Sequence, residues 1–195
     1  GNGKISDYKF EGQIKEVKIK YNEKYSFGNI NLHSQGSYDG FVGKIGPAGN
    51  WLWAQRLGGS SSSDYCYDID VDDGGNISIT GSFYGSASFG SSTYLSSYGS
   101  QDIFAAKLDT NGSWIWAVRA GSSSSDYGRG VAMDNNGNVY VTGHYYGTCY
   151  FGGNTLSHYS WDDWFVAKLD TNGNWVWSKR LYGNYYDYGY GIDVN

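Results

Sequence analysis

Proline occurs once in the 195 residues, methionine once, cysteine twice, and glutamate three times, always before residue 24. Strong helix formers rarely stand in series, which leaves little material for a helical fold. Cys66 and Cys149 hold unmatched places in the sequence pattern described below, so a disulfide framework is not expected; two buried thiols are the plain reading and one bridge is the alternative. No apolar run approaches the roughly 20 residues that span a bilayer, and the chain opens on Gly1-Asn2-Gly3 rather than on a signal peptide, so no membrane span is expected. Basic residues are also short: Lys and Arg number 14 against 19 Asp and Glu, for a net charge of -5. No basic stripe exists to track a phosphate backbone, which excludes nucleic acid as an expected partner.

What is abundant is glycine (30), tyrosine (20) and tryptophan (8), the composition of strands joined by tight turns. Three segments align without gaps, beginning at Phe41 (FVGKIGPAGNWLWAQRL), Phe104 (FAAKLDTNGSWIWAVRA) and Phe165 (FVAKLDTNGNWVWSKRL). Each alternates apolar and polar residues on both sides of a Gly-containing turn, the pattern of an antiparallel hairpin. A second hairpin follows the first two copies, from Tyr67 and from Gly130, each after a GSSSSDY-type loop. A third recurring piece (SFGNINLHS from Ser26, SFGSSTYLSS from Ser88, YFGGNTLSH from Tyr150) puts Phe27, Phe89 and Phe151 in register and is expected to pack between units. Two hairpins per period of about 62 residues make a four-stranded antiparallel sheet that needs a neighbour on each face. The expectation is an all-β, β-propeller-type array of about three four-stranded blades over residues 26–195, preceded by an N-terminal β-strand segment, 1–25.

The segments F-V-A-K-L-D (Phe165 to Asp170), G-N-x-x-W (Gly173 to Trp177) and V-Y-V-T-G (Val139 to Gly143) resemble the bacterial β-propeller repeat family of the seven-bladed type. The likeness covers roughly residues 26–195, with a longer period than the family's usual unit. It implies an extracellular or cell-surface propeller and specifies no reaction.

In a repeat array a packing need recurs in every unit, whereas a chemical site arises once. Lys44, Lys107 and Lys168 recur, as do Arg56, Arg119 and Arg180, and both sets can pair with Asp64, Asp126 and Asp187 or cover apolar faces with their stems. The pairs Trp51/Trp53, Trp114/Trp116 and Trp175/Trp177 lie two apart, which in a regular strand aims both rings at one sheet face for packing between blades. A sugar platform is the alternative. The turns at Asp109-Thr-Asn111, Asp134-Asn-Asn136 and Asp170-Thr-Asn172 resemble the start of a calcium loop but lack its distal Glu. Hairpin chemistry accounts for them unaided, so no cofactor and no metal are expected, with calcium at these turns as the alternative. The residues that break the repeat are Trp161, Asp162, Trp164, His144, His158, Arg129 and the tyrosines Tyr185, Tyr186, Tyr188 and Tyr190. A glycan or protein ligand is expected at Trp161, Asp162, Trp164, Tyr185 and Tyr186 if one binds. Asn76-Ile-Ser78 and Asn111-Gly-Ser113 fit the N-glycosylation pattern. Neither a metal-spaced His set nor a Gly-x-Ser-x-Gly elbow occurs, so no enzyme is expected.

Copies of the repeat end unevenly. Tyr190 to Asn195 aligns with Arg129 to Asp134, the first strand of the second hairpin, and the partner strand does not follow. The place before the first copy of the third recurring piece is held by Ile14-Lys-Glu-Val-Lys-Ile-Lys-Tyr21, a period-2 segment. Residues 1–24 carry six of the ten Lys and a net +2, leaving -7 on the remainder. The expectation is therefore a homo-oligomer or polymer, an extracellular structural or assembly protein. In it a strand carrying Ile14, Val17, Ile19 and Tyr21 completes the last blade, within the chain or from a neighbour, in a ring or a filament. The alternatives are a glycan-binding or adhesive propeller and a piece of a longer array.

Overall fold

The computed structural model describes residues 19–20 (backbone), 24–60, 63–159, 162–181 and 186–194. Every regular element among them is a β-strand. The first five are β1 (Ile19–Lys20), β2 (Lys24–Phe27), β3 (Ile30–His33), β4 (Tyr38–Ile45) and β5 (Trp51–Gly58). Next come β6 (Tyr65–Val71), β7 (Ile77–Phe89), β8 (Thr93–Leu108) and β9 (Trp114–Ala120). The last six are β10 (Tyr127–Met133), β11 (Val139–Tyr145), β12 (Cys149–Phe151), β13 (Asn154–Leu156), β14 (Asp163–Leu169) and β15 (Trp175–Leu181).

Two complete blades are seen, with antiparallel orders β6-β7-β8-β9 and β10-β11-β14-β15. A further sheet runs β1-β4-β5. In it Ile19 faces Asp39 as Phe83 faces Asp102 and Tyr145 faces Asp163, so β1 fills the second-strand place of the first blade. Of the N-terminal segment, Ile14, Val17 and Tyr21 lie outside the described residues, and Ile19 is paired within its own chain. Residues 186–194 continue the series without joining a sheet among the described residues. The Asp187 amide donates to the Asp162 carbonyl (3.1 Å), as Asp126 does to Gln101 (2.7 Å) and Asp64 to Tyr38 (2.8 Å). They therefore hold the first-strand place of a next blade, running beside β10 so closely that a Cβ on Gly130 would sit 3.1 Å from the Gly191 Cα.

The third recurring piece is a hairpin between the second and third strands of each blade: β2-β3, the paired ends of β7 and β8, and β12-β13. It reaches back to the preceding blade, where Leu57 and Gly58 pair with Phe89 and Ser88, and Gly121 bridges Tyr150. Its phenylalanine joins a recurring aromatic trio: Phe27 with Phe41 and Trp51 (4.9 and 4.5 Å), Phe89 with Phe104 and Trp114 (5.1 and 5.3 Å), Phe151 with Phe165 and Trp175 (4.9 and 5.1 Å).

Each interface between sheets has its own core. Phe104, Ala106 and Leu108 of β8 face the first, with Val42, Leu57 and Ile79; Ile103 and Ala105 face the second, with Val131, Val141 and Phe165. The two rings of a Trp pair divide between these cores, contrary to the single face expected of a regular strand: Trp114 packs with the first and Trp116 with the second. The reason is a β-bulge. Leu108 pairs with Trp114 and Lys107 with Trp116, so Ile115 is the extra residue that inverts the alternation, and the same shift recurs at Lys44/Ile45 and Lys168/Leu169. The second ring of the first two pairs then crosses to the following blade. Trp53 and Trp116 donate from Nε1 to the carbonyls of Thr110 (3.2 Å) and Thr171 (3.1 Å) and lie on Gly112 and Gly173. These glycines sit at φ +81° and +83°, and an added Cβ would come within 2.5 and 2.8 Å of the indole.

Candidate functional site

Each junction between blades buries a pair of carboxylates in two different roles. Asp39, Asp102 and Asp163 open the third strands and receive the recurring arginines, Arg56 at 2.8 Å, Arg119 at 3.6 Å and Arg180 at 3.8 Å. This corrects the pairing expected with Asp64, Asp126 and Asp187. Those carboxylates instead collect N–H groups: Asp64 accepts from the amides of Gly59 (2.9 Å) and Tyr84 (3.1 Å), and Asp126 from those of Ser122 (2.6 Å) and Tyr146 (3.0 Å). Burial without a cationic partner in contact pushes Asp64 and Asp126 up to about 7, and burial pushes Asp102 to about 6. The matching Asp187 keeps a buried Oδ2 with no hydrogen-bond partner among the described residues. The lysines diverge. Lys44 and Lys107 donate to the carbonyls of Thr110 (3.2 Å) and Gly137 (3.0 Å), while Lys168 lies 3.9 Å from Asp134 and over the Tyr140 ring.

The residue after Asp64, Asp126 and Asp187 is a tyrosine, and Tyr67 and His144 link these three tyrosines across the blades. The result is a continuous aromatic row. Tyr38 stacks on Tyr65 (6.3 Å), Tyr65 on Tyr67 (6.0 Å), Tyr67 meets Tyr127 (6.5 Å), Tyr127 stacks on His144 (4.9 Å), and His144 meets Tyr188 edge-on (4.6 Å). The guanidinium of Arg129 lies over Tyr67 (4.1 Å) and Tyr127 (4.8 Å). Burial and the nearby Arg129 charge push the His144 imidazole down to about 4, so it is neutral at pH 7. The buried Arg129 Nε and His144 Nδ1 have no hydrogen-bond partner among the described residues.

The row gathers some of the expected ligand residues. Asp162 accepts from the Tyr188 hydroxyl (3.2 Å), and Tyr186 stacks on Tyr188 (6.3 Å) with 56% of its surface exposed. Trp164 pairs across the strands with His144, but its indole N–H is spent on the Thr142 hydroxyl and its ring is covered by Gly189, so it is packing and not an open platform. Trp161 and Tyr185 lie outside the described residues. Tyr65 and Tyr127 were not legible as site residues, because the Asp-Tyr start shared at 64, 126 and 187 marks them as scaffold, and Tyr38 and Tyr67, whose counterparts are Gln101 and Arg129, carry no signal of their own in the sequence.

The turn carboxylates are turn caps. Asp109 accepts from the amides of Asn111 and Ser113, Asp134 from Asn136 and Asn138, and Asp170 from Asn172 and Asn174, all at 2.8–3.0 Å. The Asn138 and Asn174 side-chain amides also donate to Asp134 and Asp170, and together these bonds hold all three carboxylates below the usual range. Asn76 donates to Asp72 (2.8 Å) and its Ser78 is buried, whereas Asn111 is exposed. Cys66 and Cys149 are buried thiols in separate cores and are not joined by a disulfide.

Residues 52–82 and 115–144 match the β-propeller repeat family SBBP. Both matches begin in the fourth strand of one blade and end in the second strand of the next. The chain is also 31% identical, over 120 residues, to an uncharacterized WD repeat-containing protein of Acanthamoeba polyphaga mimivirus. That alignment covers 58% of this chain and 9% of the relative. Among the described residues, no helix is long and apolar enough to cross a membrane.

Proposed function

We propose that this chain of β-propeller repeats is a non-catalytic, extracellular structural module that assembles head to tail with copies of itself. The observation that carries the reading is an unmatched knob and an unmatched seat. Trp53 and Trp116 each lie on the turn glycine of the following blade, Gly112 and Gly173. Trp177 has no such turn among the described residues, and the equivalent glycine of the first blade, Gly49, has a similar φ of +79° and nothing within 4 Å of its Cβ position. Docking Trp177 of one copy on Gly49 of the next repeats a contact the chain already makes twice.

The backbone supports the same join. Among the described residues, the first blade has its second, third and fourth strands, and residues 186–194 hold a first-strand place without those three. Bringing them together completes one blade, with the N-terminal strand sandwiched between residues 186–194 of the neighbour and β4. Lys20 stands where Tyr84 and Tyr146 stand, by its pairing with Tyr38, so its backbone amide is placed to donate to the Asp187 carboxylate of the neighbour, as those amides donate to Asp64 and Asp126. The opposite charges of head and body favour the encounter. A closed propeller takes about 4–8 blades, which two copies supply. The extracellular setting rests on the family likeness.

Light scattering tests the assembly. The expected mass is about twice the 21.5 kDa of one chain, or a larger multiple if the join propagates as a filament, and Trp177→Ala returns it to one chain. A monomer at every concentration, or an oligomer indifferent to both Trp177→Ala and removal of residues 1–24, overturns the reading.

A further inference from the structure

Arg56, Arg119 and Arg180 each face a buried aspartate, whereas Arg129 has no carboxylate partner among the described residues. Its guanidinium is instead held between the rings of Tyr67 and Tyr127, and its Nε is buried and unpaired. A lone cation fixed in a chain of net charge -5 is a specific attraction for one anionic group, not a steering field. It lies in the middle of a row of partly exposed rings, with Tyr188 41% and Tyr190 69% exposed at the far end. Beside it the unpaired Nδ1 of His144, a residue 4% exposed, adds a neutral polar atom.

We propose that the row centred on Arg129 binds an acidic oligosaccharide. The guanidinium pairs with the carboxylate of a uronic-acid residue, and the sugar rings on either side lie against Tyr67, Tyr127 and Tyr188. Aromatic rings present apolar faces and a polar edge, which suits the alternating C–H faces and hydroxyls of a sugar chain. An acidic peptide fits less well: the row offers a ribbon of flat rings, with no apolar pocket for side chains. The site does not depend on assembly, since all the residues named belong to one chain.

Isothermal titration with tri-galacturonate, its fully methyl-esterified form and a penta-glutamate peptide tests the proposal. Binding of the free acid is expected, weakened tenfold or more by esterification, by Arg129→Gln and by Tyr127→Ala. Arg129→Gln should leave the melting temperature within a few degrees of the parent, because the arginine closes no ion pair. Absence of binding by tri-galacturonate, equal affinity for the ester, indifference to Arg129→Gln, or preference for the peptide would each overturn it. Trp177→Ala should leave this affinity unchanged, which separates failure here from failure of the assembly.

Discussion

At the scale of single residues, the buried carboxylates give this protein an unusual response to pH. Asp64 and Asp126, raised to about 7, and Asp102, raised to about 6, bind protons more tightly when folded than at their ordinary value of 3.8. Their contribution to stability is therefore complete below about pH 3.8 and is lost as pH rises through 6 to 7. His144 opposes them: lowered from 6.5 to about 4, it loses stability as pH falls across that interval. Three carboxylates outweigh one imidazole. Below the ordinary carboxylate value the turn acids Asp109, Asp134 and Asp170, held low by their turn amides, begin to protonate and their stabilisation goes. The melting temperature should thus rise from pH 8 to about 5 and fall again below 4; a steady decline from pH 8 downward would contradict the assignment. Arg56→Ala leaves Asp39 buried beside no cation and should cost about 3 kcal/mol in urea unfolding at pH 7.

At the scale of elements, hairpins, turns and blades were readable because alternation and Asn-Gly chemistry are local properties. The faces of the Trp pairs were not. A bulge at Ile115 is a relation between two strands, invisible to a period counted along one, and it sends Trp116 toward the next blade while Trp114 stays with the last. The ion pairs were misassigned for a related reason. Asp64 and Asp102 recur equally well, and only the pairing of β4 with β5 and of β8 with β9 shows which acid faces the arginine. The aromatic row, too, is assembled across blades, from recurring residues such as Tyr65 and Tyr127 together with repeat-breaking ones such as His144 and Arg129. These crossings make a sharp prediction. Trp116, 9% exposed and bonded to Thr171, should cost about 3–5 kcal/mol when replaced by alanine, measured by denaturant unfolding. The same change at Trp177, half-buried and seated on no turn, should cost far less in an isolated chain.

At the scale of the whole molecule, that contrast becomes a test of where the array ends. If Trp177 finds its seat only on Gly49 of another copy, its burial is a binding term, and binding stabilises in proportion to the logarithm of concentration. The melting temperature of the parent should then climb with protein concentration, whereas that of Trp177→Ala should be flat and equal to the parent's low-concentration limit. Trp116→Ala should lower the whole curve yet keep its slope, because its seat at Gly173 lies within the chain. Removing residues 186–195 should also flatten the slope, since the first strand of the shared blade goes with them. A slope unchanged in Trp177→Ala would mean that copies meet elsewhere. A flat curve for the parent would mean that the knob and the seat await further repeats of one longer chain, the other occupant that a repeating geometry allows.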